Sequence, residues 1–215
     1  MLTFDPNAAK QADQFNAAIT QSGKYICTIT RAEKLTAKTG TAGLGLSVKL
    51  DTGETAQYLD IYIAKSNGEP LSGMKTVQAI IGCLSMRSAP DGQITVEKYN
   101  PDTRTREQKS VPGYPEMMGK RIGLLLQQEL STYNGKEQSK MVIVGVFQAD
   151  TGLTVTEILD RKTKPETLGK MMEWLIAHPV NDRRSNAGSK PAATSNSDAE
   201  YFDQAGRFDD QEIPF

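Results

Sequence analysis

Tyr58, Asp60 and Tyr62 stand at alternate positions of a segment whose other members, Leu59, Ile61 and Ile63, are aliphatic. A strand turns successive side chains to opposite faces, so two aromatic rings and a carboxylate are expected outward, with the aliphatic residues inward. Lys49 and Lys65 flank the segment. Bases stack on aromatic faces at roughly 1–3 kcal/mol each while Lys and Arg follow phosphates, so this set suits sequence-tolerant binding of a single nucleic-acid strand. Plain cross-strand packing of the two rings beneath a terminal helix accounts for the same pattern, and Asp60 between them speaks for it.

Two further basic groups carry the same chemistry. Lys98, Arg104, Arg106 and Lys109 flank Asn100-Pro101-Asp102-Thr103, a turn signal that predicts a projecting hairpin of strands 93–99 and 104–111. Tyr133, Lys136 and Lys140 surround Asn134-Gly135, which predicts a second hairpin of strands 120–132 and 140–147. A charge run is more often a solvated surface than a binding site, and that alternative applies to both arms.

Positioning these groups requires a β-rich body. A helix is expected to start at Asp5-Pro6 and to be ended by Gly23, capped by Asp5 with Pro6 in its first turn and Ala8, Ala12, Phe15 and Ile19 on one face. A strand follows Gly23, with Tyr25, Cys27 and Ile29 on one side. Leu44, Leu46, Val48 and Leu50 alternate with Gly45, Ser47 and Lys49, and Asp51-Thr52-Gly53 turns the chain into the segment of Tyr58 and Tyr62. Ser72 is the expected cap of a helix carrying Met74, Val77, Ile81 and Leu84, ended by Pro90-Asp91-Gly92. A short strand is expected near 153–158, and Thr163 to Glu166 reads as a capping box opening a helix with Leu168, Met171 and Leu175 inward. Three strands, a helix and two strands is the element order of an OB-fold. The fold class expected is therefore mainly β: an OB-fold-like antiparallel barrel with N- and C-terminal helices, an inserted β-hairpin and a disordered acidic tail. Another antiparallel sheet packed with helices has the same alternation.

Charge separates body from tail. The net charge of −1 averages a body with 21 Lys and Arg against 19 acids and residues 182–215 with 4 against 7. A slightly basic body is too mild a signal to establish phosphate binding by itself. The division expected is a domain over 1–180, a linker over 181–199 nearly devoid of bulky side chains, and an acidic tail over 200–215. The last eight residues combine Phe208, Asp209, Asp210, Gln211, Glu212, Ile213, Pro214 and Phe215. Acids keep such a terminus extended and hydrated, and Ile213 and Phe215 beside them suit capture by a partner pocket that takes ring and terminal carboxylate together. A frayed end with incidental hydrophobes is the alternative.

This end resembles the acidic tip of bacterial single-stranded DNA-binding proteins, an Asp-rich run closing in Ile-Pro-Phe. Asp209, Asp210, Glu212, Ile213, Pro214 and Phe215 match, and Gln211 stands where the family usually has an acid. The body is diffusely similar to phage-encoded members of that class through Gly23-Lys24-Tyr25, Lys38-Thr39-Gly40, Asn134-Gly135-Lys136 and Thr151-Gly152-Leu153. It lacks the tryptophan platform of bacterial relatives, since Trp174 falls in the last predicted helix, so stacking residues do not carry over one by one. The resemblance implies a protein of DNA replication or recombination that coats single-stranded DNA and recruits replication, recombination or repair proteins through the tip, in the cytoplasm of a bacterial host.

Other chemistry finds little support. His178 is the sole histidine, and two isolated cysteines cannot complete a zinc site with it. Thr39 to Gly43 lacks the Gly-Lys-Ser/Thr of a phosphate-cradling loop. Asp51, Glu54 and Asp60 do not converge for Mg²⁺. Cys27 and Cys83 read as buried free thiols, and no run is apolar enough to span a bilayer. The expectation is a binding protein with no cofactor and no catalytic set, with a homo-oligomer compatible with the chain. A scaffold without DNA affinity, and a Mg²⁺-dependent nuclease, are the alternatives.

Overall fold

A computed structural model of the chain describes residues 17–100, 103–133 and 135–184. Among the described residues eight strands form one sheet around a bent first strand. β1 (Gly23–Thr36) pairs through Gly23 to Thr28 with β6 (Arg121–Tyr133) and through Thr28 to Thr36 with β2 (Ala42–Lys49), both antiparallel. Passing from one partner to the other bends β1 and curls the sheet. β2 pairs with β3 (Thr55–Ala64), and β6 pairs with β7 (Lys136–Phe147). A helix, α1 (Gly73–Cys83), follows β3 and packs against β3 and β7. Strand pairing 3-2-1-6-7 with the helix after the third strand gives an OB-like open barrel, in which β6 and β7 serve as the fourth and fifth barrel strands. The inserted hairpin, β4 (Gly92–Asn100) and β5 (Thr105–Gly113), joins the sheet only where Gly113 meets Glu33.

The barrel interior is closed by alternate residues of the strands, among them Ile29, Leu46, Leu59, Leu124 and Ile143, and by Ile80 of α1. Cys27 and Cys83 are free and buried there, and burial pushes both thiols up to about 12. A second cluster lies outside the barrel wall. Leu168, Met171 and Leu175 of α3 (Thr167–Ala177) cover Leu125 and Phe147, so this helix lies over β6 and β7 and also touches β1.

Several local expectations change. Residues 1–16 lie outside the described ones, but 17–22 are not helical: the Ile19 N–H donates to Thr55 O at 2.8 Å, because pairing beside β3 buries Ile19 and satisfies its backbone at once. Ser72 sits at the cap position of α1 without a side-chain cap bond, and the helix ends at Cys83, where Ser85 adopts φ 54°, well before Pro90. The segment expected as a strand near 153–158 is instead a helix, α2 (Val155–Leu159). The capping carboxylate of this region is Glu157 and not Glu166. Buried Glu157 accepts the Thr154 N–H at 2.9 Å and the N–H groups of Glu166 and Thr167 at 2.8 Å each, so one carboxylate caps both α2 and α3. Finally, the chain stays on the body past residue 180: β8 (Val180–Asp182) runs parallel beside β6, and Arg184 reaches Glu137 at 3.0 Å.

Candidate nucleic-acid interface

Two β-bulges at one level of the barrel create the site. On β1 the register steps from Ile29↔Val48 to Arg31↔Ser47, leaving Thr30 extra; on β3 it steps from Ala56↔Val48 to Leu59↔Leu46, so that Gln57 and Tyr58 both oppose Ser47. A bulge reverses which face the following residues occupy. Arg31 and Glu33 are thereby turned outward, and Tyr58 is placed at φ 59° with 61% of its surface exposed. Positive φ is an outlier for a bulky residue and costs on the order of 1–3 kcal/mol. The Arg31 guanidinium carbon lies 5.4 Å from the Tyr58 ring centroid, a cation–π contact across β2.

The outward positions of β2 between them are nearly bare. A Cβ on Gly45 would stand 3.0 Å from Arg31 Nη2 and from Leu35 Cδ1, and one on Gly43 would stand 3.2 Å from Tyr62 Cδ1. The glycines thus let Arg31, Leu35 and Tyr62 lie down across the strand. The result is an outer face with a flat floor, an aromatic ring at Tyr58, a second half-buried ring at Tyr62, and Lys49 at the next outward position beyond Ser47.

Charge on this face is arranged in pairs. Buried Glu33 accepts from Arg31 Nε at 2.9 Å and Nη2 at 2.7 Å through one oxygen, and from Lys98 Nζ at 2.6 Å through the other. Burial alone would raise its pKa, but the bonds from Lys98 and Arg31 prevail and hold it below the ordinary range. Asp60 behaves in the opposite way. It is exposed, yet the partial enclosure of its carboxyl pushes the pKa up, with Glu33 adding to the rise and Arg31 and Lys140 opposing it. Lys140 itself pairs with buried Glu129 at 2.9 Å.

The expected residues divide accordingly. Tyr58, Tyr62, Lys49 and Lys98 come together on the β1–β2–β3 face, and Lys140 is near enough to act on Asp60. Lys65 follows the far end of β3 and pairs with Glu69 at 3.3 Å. The hairpin cations do not act as one group. Lys98 and Lys109 share the ladder face of Ile94 and Val96, which packs on the barrel, whereas Arg106 stands opposite Tyr99 on the other face, 4.0 Å from Glu97. Arg104 occupies the turn at φ 53°. Lys136 is exposed at the other arm; the Tyr133 side chain, Asn134 and the tip from Phe208 to Phe215 lie outside the described residues.

Arg31 and Glu33 were not among the expected residues. Continuing the alternation of Cys27 and Ile29 turns them inward, and only the Thr30 bulge reverses it. Tyr99, 61% exposed on the hairpin, was also not among them. Among the described residues no three His, Cys, Asp or Glu side chains gather into a group able to hold a metal, and no helix is long and apolar enough to cross a membrane. The fold and this face define an OB-like barrel with an aromatic and cationic outer surface. Compared with protein-family models and with curated proteins, the chain matches none.

Proposed function

We propose that the protein binds single-stranded DNA on the outer face of β1, β2 and β3 and recruits replication or recombination proteins through its acidic C-terminal tip. The observation that carries this reading is Tyr58: an exposed aromatic ring held at positive φ by a bulge, beside Arg31, over a strand reduced to glycine and serine. Strain of this kind persists where the surroundings impose it, and it presents a ring face that a base can stack upon. Lys49, Lys98 and Lys140 around the face follow the phosphates. Among the described residues no helix covers Tyr58, since α3 lies on Leu125 and Phe147 of β6 and β7, and the ring is mostly exposed.

Fluorescence titration with oligo-dT at low and raised salt tests the reading. Affinity should fall as salt rises, and Tyr58→Ala should weaken binding about tenfold, the worth of one stacked base. Absence of binding at low salt overturns it and leaves the scaffold alternative.

A further inference from the structure

Resting on the single-strand reading above, we propose that Asp60 is a base-reading residue, whose carboxylate accepts hydrogen bonds from the Watson–Crick edge of a base seated on Tyr58 and so favours guanine over thymine. Asp60 shares its outer face with both Tyr58 and Tyr62 and lies directly across the ladder from Gly45, which offers no side chain to occupy its lone pairs. Among the described residues no hydrogen bond or ion pair engages it, although Arg31, Glu33 and Lys140 all act on it through space. Glu33, the other carboxylate of the face, is saturated by Arg31 and Lys98 and is not available to a ligand. A pure phosphate-following surface has no use for an uncommitted carboxylate, which repels the backbone it is meant to hold.

The neighbouring donor completes the pattern. Arg31 Nη1 is the one buried side-chain nitrogen or oxygen among the described residues that lacks a hydrogen-bond partner. A ligand edge with two adjacent donors beside an acceptor satisfies both groups, the donors meeting Asp60 and the acceptor meeting Arg31 Nη1 while Nε and Nη2 stay on Glu33. Guanine has that edge, with N1–H and the N2 amine next to O6. Cytosine and adenine bring one amine each. Thymine presents a single N3–H between two carbonyl oxygens, one of which would face the second carboxylate oxygen of Asp60.

The test uses the full chain and fluorescence anisotropy with three probes: a short oligo-dT, the same oligonucleotide with guanosine at its central positions, and one with inosine there, which lacks the N2 amine. The guanosine probe should bind on the order of tenfold tighter than oligo-dT, with inosine between them. Asp60→Ala, at an exposed position, should tighten oligo-dT binding by removing a negative charge while bringing the guanosine-to-thymidine ratio close to one. Equal affinities in the wild type, or an Asp60→Ala variant that tightens all three probes in parallel, overturns base reading and leaves single-strand binding standing. Failure of every probe to bind at low salt overturns both.

Discussion

At the scale of single residues, Tyr58 sets stability against binding. Its φ of 59° suits glycine and not a bulky aromatic residue, so the wild type holds strain that Tyr58→Gly relieves. The same change removes the ring and its contact with Arg31. Thermal melts should show Tyr58→Gly no less stable than the wild type, while oligo-dT titration shows the loss expected for Tyr58→Ala. A clear drop in melting temperature would mean that packing, and not ligand binding, retains the tyrosine. Arg31 and Glu33 show why part of the site was illegible in the sequence. Strict alternation assigns them to the core, and a bulge is a backbone event whose position depends on the partner strands, here Val48 and Ser47 of β2. Tyr58, Tyr62 and Lys49 were legible because their own strands preserve the alternation between apolar and polar faces on either side of the bulge.

At the scale of elements, Glu157 ties two helices to each other. Burial opposes its ionisation, yet N–H donors from Thr154, Thr167 and Glu166 hold its carboxyl down to about 2, against an ordinary 4.5. A depressed carboxylate contributes stability that is fully present above the ordinary value and is lost as pH falls toward the depressed one. The contribution is on the order of 3 kcal/mol at neutral pH. Urea unfolding of Glu157→Gln should show most of that deficit at neutral pH, and the gap from the wild type should close steadily as pH drops from about 4.5 to about 2. A deficit independent of pH would assign the loss to packing. The helix that Glu157 opens at Thr167 was expected from Leu168, Met171 and Leu175, but its cap was not. Thr163 and Glu166 have the right spacing for a capping box, and the carboxylate that does the capping comes from nine residues upstream through the tertiary fold.

At the scale of the whole molecule, a body with a ligand face and an acidic tip are joined in one chain. Removing Phe208 to Phe215 should leave oligo-dT affinity unchanged or higher, since it takes away the three acids Asp209, Asp210 and Glu212 and no Lys or Arg, while abolishing co-purification with replication proteins. Equal loss of both activities would show that tip and body are not separate devices. The order of β1 to β7, α1 and α3 was legible because these carry local signals, the Asp51-Thr52-Gly53 and Asn134-Gly135 turns, period-two strands and period-three-and-four helices, whereas α2 was read as a strand and β8 as the start of the linker. Those signals determine the mainly β composition, the inserted hairpin and an element order that the OB-fold shares with other antiparallel sheets, and the tail's charge and its Ile-Pro-Phe end are plain in the residues themselves. The tertiary structure decided what no local pattern encodes. Two bulges aligned on either side of Ser47 bring Arg31 beside Tyr58, a long bent β1 brings Glu33 to Lys98, and α3 settles on β6 and β7 so that the opposite face keeps its rings and charges turned outward. Each of these depends on contacts between residues far apart in the chain, where side-chain direction is set by the register of the neighbour and not by the identity of the residue.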